Sequence, residues 1–115
     1  MKSPDNAIAF LGPTGTYSHE ATLAFAKRLG IESPDFIECT SFDEVFDCVD
    51  HGRCEFGVVA KENSIEGPVT ATLDGFALKS TSVILGEEVV DIHHCLVVNP
   101  DAKLEDITTV ASHAQ

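Results

Sequence analysis

Basic residues are scarce in this sequence. It contains 7 Lys and Arg against 19 Asp and Glu, which gives a formal net charge of −12 over 115 residues. Nucleic acids and anionic membranes bind clustered Lys and Arg, so this composition argues against both as partners. A small anionic ligand is still compatible with the composition, because backbone N–H groups and helix N-termini can make a site locally positive.

Long apolar runs are also missing. No stretch approaches the ~20 consecutive apolar residues that span a bilayer, and the residues from Met1 to Asn6 lack the hydrophobic core of a secretory signal. We therefore expect a cytoplasmic protein without a membrane partner. The length predicts one domain at most.

The four cysteines form neither a CxxC pair nor a dense disulfide framework. Cys48, His51 and Cys54 are spaced three apart and suggest a zinc site, with further ligands in the range His93–Cys95. Structural zinc sites favour tighter cysteine spacing. We therefore expect reduced thiols and no metal.

The first half of the chain alternates between strand and helix patterns. Three short apolar runs predict buried strands: Ala7–Leu11, Phe36–Thr40 and Phe56–Ala60. Of the two intervening helices, the first ends at Gly30 and the second opens with a capping box at Ser41–Glu44. A βαβαβ order with continuously apolar strands predicts a parallel sheet covered by helices, the α/β class.

Beyond Ala60 the pattern changes to a polar loop and then to mixed elements. Pro68 suits the first turn of a new helix. Further strands are predicted at Val83–Leu85, Glu88–Val98 and Thr108–Ala111, with a short helical piece at Leu104–Ile107.

Three polar loops each follow a predicted strand: Gly12–Ser18, Glu62–Gly67 and Ser112–Gln115. In open α/β sheets ligands bind at the carboxyl ends of the strands, where unpaired backbone N–H groups converge. We therefore expect the three loops to line one cleft. In the last of the three loops, the Ser112 hydroxyl is suited to bind an anion and His113 is suited to act as a base near neutral pH.

The first two loops carry small polar side chains that have alternative roles. Thr16 and Ser18 offer hydroxyl donors to a ligand, or one of them caps the helix that follows. Asn63 and Ser64 offer donors to a carboxylate, or Ser64 caps a turn and the neighbouring glutamates are simply solvated. The loops match neither the Walker pattern nor GxGxxG, which disfavours a nucleotide-binding domain.

Several segments resemble the motifs of one enzyme family, in the family's order. The segment Ala9–Ser18 resembles the opening motif of the prephenate dehydratases. Three segments resemble the family's central motif: Gly57–Val59, Glu62–Gly67 and Thr72–Asp74. Three more resemble its later motifs: Gly86-Glu87, Ile92–Leu96 and Ser112–Gln115. The resemblance covers nearly the whole chain from Ile8.

This resemblance implies a two-lobed fold like that of type II periplasmic binding proteins. Residues 1–75 would form the nearly complete first lobe, and residues 76–115 would begin an incomplete second lobe. The implied reaction converts prephenate, bound between the lobes, to phenylpyruvate, water and CO2 in phenylalanine biosynthesis. The family needs no metal or redox cofactor.

The resemblance also implies roles for particular residues. Substrate-binding positions would be Thr16, Ser18, Asn63, Ser64, Gly67, Ser112, His113 and Gln115. The family's acid–base threonine belongs to a Thr-Arg-Phe motif, which this sequence lacks, so we expect that motif and the phenylalanine-binding ACT domain to lie beyond Gln115. No catalytic residue is therefore assigned within the chain, and we expect the chain alone to be inactive or nearly so.

Two departures from the family pattern accompany the resemblance. Ala60-Lys61 stands where the family usually has proline and an aliphatic residue, and Ala114 stands where it usually has proline. The alternative function is a non-catalytic bilobal module that binds a small carboxylate or an amino acid. In either case we expect a homodimer or a larger homo-oligomer, because an incomplete second lobe leaves unpaired strand edges.

Overall fold

A three-stranded parallel sheet forms the core of the computed structural model, which describes residues 6–112. The strands are β1 (Ala7–Leu11), β2 (Asp35–Cys39) and β3 (Phe56–Val58), in the order β2-β1-β3. The central strand β1 pairs in parallel with both neighbours. The sequence-based prediction of an α/β fold with a parallel sheet is confirmed.

The sheet is covered by two helices, α1 (Tyr17–Arg28) and α2 (Phe42–Asp50). Side chains of β1 alternate between two core clusters, as the pleat of a strand requires. Ile8 and Phe10 pack with residues of α1, whereas Ala7 and Ala9 pack with residues of α2. No helix within residues 6–112 is long and apolar enough to cross a membrane.

Both helices start with a hydroxyl cap. The hydroxyl of Thr16 accepts a hydrogen bond from the His19 N–H (3.2 Å), and that of Ser41 accepts one from the Glu44 N–H (3.1 Å). The Glu44 carboxylate in turn accepts from the N–H (2.9 Å) and the hydroxyl (2.8 Å) of Thr40. The predicted cap by Ser41 is confirmed, but the glutamate half of the predicted capping box is wrong by one residue, because Glu44 reaches past the cap to Thr40.

A small antiparallel hairpin follows β3. It consists of β4 (Glu62–Asn63) and β5 (Gly67–Pro68), and it leads into α3 (Thr70–Asp74) and a π-helical turn at Gly75–Lys79. The prediction for Pro68 is wrong: this residue lies in β5, and the helix begins at Thr70. Gly75 lets the backbone approach the ring of Phe46, since a Cβ there would lie 2.3 Å from its Cε2.

Residues 80–112, called the extended segment below, form neither α-helix nor strand and contain a turn at Pro100–Asp101 and a 3-10 turn at Leu104–Asp106. The strands predicted at Val83–Leu85, Glu88–Val98 and Thr108–Ala111 are wrong for this structure. A strand needs a neighbour for its backbone hydrogen bonds, and the two sheets of the described chain contain only β1 to β5. The apolar pattern is present, but nothing in the described part pairs with it.

Side-chain contacts fix the beginning of this extended segment to the core. The Asp50 carboxylate accepts from the hydroxyls of Ser80 (2.8 Å) and Ser82 (2.7 Å). Farther along, Arg28 pairs with Glu88 at 2.7 Å. The radius of gyration is 17.0 Å, against roughly 13 Å for a compact chain of this length. Much of the segment therefore lies outside the compact core.

Candidate functional site

The loops after β1 and β3 leave the same edge of the sheet. Phe10 and Val58 are partners in the parallel register, so the two strands end next to each other, about 4.8 Å apart. This is the edge at which open α/β sheets bind ligands. Five of the predicted site residues lie in these two loops: Thr16, Ser18, Asn63, Ser64 and Gly67.

Some backbone N–H groups of the first loop bond to the protein rather than facing an open cleft. Three of them donate to protein acceptors: Gly12 to the Cys39 carbonyl (2.9 Å), Thr14 to a Glu38 carboxylate oxygen (3.0 Å) and Gly15 to Nδ1 of His19 (3.1 Å). The hydroxyl of Thr14 also donates to the Glu38 carboxylate. The expectation that these amides are unpaired is wrong for these three positions.

The hydroxyl of Thr16 serves as a helix cap. It donates to the Pro13 carbonyl (3.0 Å) while accepting from the His19 N–H, so its single hydrogen is already engaged. Ser18 is partly buried in the first turn of α1. The N–H groups of Tyr17 and Ser18 lie where an α-helix provides no backbone acceptor. The Ser18 hydroxyl and these two amides are therefore donors that this loop offers to a ligand.

His19 is a site neighbour that the sequence patterns did not single out. Its ring stacks on Phe10, with 5.4 Å between centroids and 24° between planes, and it meets Phe36 edge-on at 5.7 Å. Nδ1 accepts from Gly15, so the neutral imidazole carries its proton on Nε2. A signal existed in the sequence: His19 is the third residue after the Thr16 cap, the position where capping boxes place Glu or Gln.

The second loop is shaped by the side chain of Asn63. Its Oδ1 accepts hydrogen bonds from the N–H groups of Ile65 (2.8 Å) and Glu66 (3.3 Å). The Asn63 side-chain NH2 remains as a pair of donors. Gly67, the first residue of β5, has a φ of +84°, a left-handed conformation that glycine adopts without steric cost. Ser64 is exposed at the tip of this loop.

The third predicted loop differs from the first two. Ser112 lies on extended chain and does not follow a strand, because no strand forms at residues 108–111. The other two members of that loop, His113 and Gln115, lie outside the described residues. The first two loops thus leave the same edge of the sheet, and the placement of the third loop beside them stays a prediction.

The cysteines of the core are buried thiols. Burial raises the pKa of Cys39 to about 12, with a further contribution from the Cys48 sulfur 3.9 Å away. Burial likewise raises the pKa of Cys54 to about 11. Such thiols stay protonated near neutral pH, so they are neither nucleophiles nor ready metal ligands. Among the residues that the structure describes, no group of three or more His, Cys, Asp or Glu could hold a metal ion.

Comparison with known proteins identifies the family. The sequence model of the family described as prephenate dehydratase matches residues 8–115. The chain belongs to the prephenate dehydratase family. Prephenate dehydratase from Corynebacterium glutamicum is 37% identical over 115 residues, and the bifunctional chorismate mutase/prephenate dehydratase of Pseudomonas aeruginosa is 44% identical over 108 residues.

These relatives are considerably longer than this chain. The C. glutamicum alignment covers 98% of the chain and 36% of the relative, and the P. aeruginosa alignment covers 94% of the chain and 28% of the relative. The chain thus spans about a third of the length of the prephenate dehydratases it matches.

A solved structure supports the same assignment at the level of the fold. The X-ray structure of prephenate dehydratase from Streptococcus mutans superposes with a TM-score of 0.59 at 29% sequence identity. The superposition covers 65% of this chain and 37% of that protein. The α/β core described above is therefore also found in a prephenate dehydratase.

Proposed function

We propose that this chain supplies part of the prephenate site of an enzyme that converts prephenate to phenylpyruvate, water and CO2 in phenylalanine biosynthesis. The observation that carries the proposal is the family match over residues 8–115. Two polar loops that leave the same sheet edge add physical support, since each loop offers hydrogen-bond donors suited to a carboxylate.

The chemistry asks little of the protein beyond binding and orientation. Loss of CO2 pushes electrons into the ring as the ring hydroxyl leaves, and aromatisation supplies the driving force. The protein must bind two carboxylates, align them and polarise the departing hydroxyl. The Asn63 side-chain NH2, the Ser18 hydroxyl and the first amides of α1 are suited to the first two tasks. Ser64 and Gly67 complete this wall in our proposal.

We further propose that the cleft lies between two lobes. Residues 1–75 would form the first lobe and residues 76–115 the start of the second, with Ser112, His113 and Gln115 on the opposite wall. Support comes from the change at residue 80, where the compact core gives way to extended chain. The four cysteines are thiols, which suits action in the reducing cytoplasm.

Prephenate binding by the 115-residue chain tests the proposal, and turnover tests whether the chain needs the rest of the family's catalytic domain. The sequence contains no Thr-Arg-Phe motif, in which the family carries its acid–base threonine. We expect prephenate to bind without forming phenylpyruvate at a measurable rate, as followed by the absorbance of phenylpyruvate. Dehydratase rates typical of enzymes, on the order of 1 s⁻¹ or more, would contradict this.

A non-catalytic binding module is the second candidate, favoured by the same missing motif. Calorimetry with prephenate and phenylpyruvate separates the two readings when the rest of a family member's catalytic domain is supplied in trans. Recovery of turnover supports the enzyme. Binding that never leads to product, even with the complementary part present, supports the module.

A further inference from the structure

The two main helices begin with the same hydrogen-bond arrangement. In each, the third residue after the cap reaches back to the N–H of the residue before the cap. In α2 the Glu44 carboxylate accepts from Thr40 at 2.9 Å, and in α1 the Nδ1 of His19 accepts from Gly15 at 3.1 Å. Glu44 at the start of α2 can therefore be compared with His19 at the start of α1, because both accept the same type of hydrogen bond.

The two acceptors differ in charge. Glutamate is usual at this position, and its negative charge is favourable at a helix N-terminus. A neutral imidazole provides the same hydrogen bond without that electrostatic stabilisation. The helices also differ in location: α1 starts from β1, which is the neighbour of β3, whereas α2 starts from β2 on the far side of β1. The uncharged acceptor is therefore found at the start of α1, and the strand before α1 is the neighbour of β3.

We propose that His19 is a positioning residue that fixes the Gly12–Thr16 turn through an uncharged acceptor and so keeps the site able to bind a dianion. The proposal rests on the proposed function, because it needs an anionic ligand at this edge. Two carboxylates already lie near the turn, Glu38 bound to Thr14 and Glu20 in the first turn of α1. A third one at position 19 would add to the repulsion of an anion.

The surroundings of His19 suit this role. The ring lies against Phe10, which is fully buried, and against the edge of Phe36. These contacts hold the imidazole plane and direct Nδ1 to the Gly15 N–H. Gly15 itself has a φ of +96°, so the turn depends on a conformation that an anchoring hydrogen bond helps to select.

The anchoring part is tested by amide hydrogen exchange at Gly15 in the 115-residue chain. His19→Phe keeps an aromatic ring but removes the acceptor, whereas His19→Gln keeps a neutral acceptor and removes the ring. We expect Gly15 exchange to become about tenfold faster in the Phe variant and to stay near wild type in the Gln variant, because exchange follows local opening. Unchanged protection in His19→Phe would overturn the proposal.

The charge part is tested by prephenate binding. His19→Glu keeps an acceptor for the cap but adds a negative charge, and Lys27→Gln changes the net charge by the same amount in the last turn of α1. We expect roughly three- to fivefold weaker binding for His19→Glu, because the repulsion between a carboxylate and a nearby dianion in water is about 1 kcal/mol or less and is partly screened by salt. The prephenate affinity of Lys27→Gln should stay within about twofold of wild type. Lys27 lies about 12 Å farther along the helix than His19, and salt screens a charge at that distance.

The outcomes distinguish this inference from the proposed function. Equal prephenate affinity of His19→Glu and wild type overturns the role of charge. If wild type itself gives no binding, the proposed function fails for this chain, and the Gly15 exchange rates still decide whether His19 anchors the turn. If His19→Glu does not fold, the Gln variant must retain wild-type affinity for the proposal to stand.

Discussion

Asp50 is one of the residues that join the compact core to the extended segment. Its carboxylate accepts from the hydroxyls of Ser82 and Ser80, and these hydrogen bonds, that of Ser82 foremost, lower its pKa below 3.8. A carboxylate with a lowered pKa stabilises the fold above its unfolded value. The stabilisation is lost as the pH falls through the lower folded value.

We predict that Asp50→Asn lowers the free energy of unfolding by about 1 kcal/mol near neutral pH, because charge-assisted hydrogen bonds to a partly exposed group are screened by water. The difference from wild type should shrink as the pH falls below 3.8. Urea unfolding at several pH values measures this. Asp43→Asn is the control, since the exposed Asp43–Lys79 pair at 3.3 Å should contribute less. Equal effects of the two substitutions would contradict the prediction.

Removing the hydroxyl of either of two buried threonines should change the free energy of unfolding by different amounts. Thr22 donates to the Ser18 carbonyl at 2.6 Å, whereas the Thr72 hydroxyl has no hydrogen-bond partner among the described residues. Thr22→Val should cost about 1 kcal/mol of unfolding free energy, and Thr72→Val should cost nothing or stabilise slightly. Thermal or urea unfolding compares them. A larger loss for Thr72→Val would reveal a partner for its hydroxyl.

At the scale of elements, the close packing of β3 on α2 depends on Gly57. A Cβ at this position would lie 2.9 Å from the γ-methyl groups of both Val45 and Val49. We predict that Gly57→Ala destabilises the chain by about 1 kcal/mol, the lower end of what overpacking costs in a core, because Gly57 is itself exposed. Gly86→Ala is the matched control, since its Cβ would meet Phe25 at an ordinary 3.7 Å. A neutral Gly57→Ala would show that α2 can move away from the sheet.

The elements of the core could be predicted from local pattern, whereas the detail of the site could not. Buried parallel strands are continuous apolar runs, and helix caps are recognised from residues adjacent in sequence. The elements β1 to β3, α1 and α2 could therefore be predicted from the sequence. The contact of Thr14 with Glu38 joins residues 24 positions apart. No local pattern shows that this carboxylate occupies a loop amide. The prediction of strands after residue 80 was wrong, because an alternating apolar pattern does not show whether a neighbouring strand is present to pair with.

At the scale of the whole molecule, the extended segment exposes apolar side chains that a stable fold normally covers. Val83, Val89 and Val97 are each at least 85% exposed. In the described structure β2 and β3 also form open edges of the sheet. Exposed apolar chain and open edges favour pairing with another chain.

We therefore predict that the 115-residue chain forms a dimer or a larger assembly. Sedimentation velocity over a range of concentrations measures this, with the fraction of assembled species expected to rise with concentration. A substitution of Val89 to Lys should reduce assembly, because charge on exposed extended chain opposes edge pairing. A strictly monomeric profile at high concentration would count against the prediction.

Assignment of the prephenate-binding surface by NMR is the most direct test of the central claim, that the loops after β1 and β3 form one wall of a carboxylate site. Prephenate is titrated into the ¹⁵N-labelled chain, and amide shifts are followed residue by residue. We predict saturable shifts in Gly12–Ser18 and Glu62–Gly67, with little change along the outer face of α1. Shifts confined to that outer face, or no shifts at millimolar prephenate, would contradict the account.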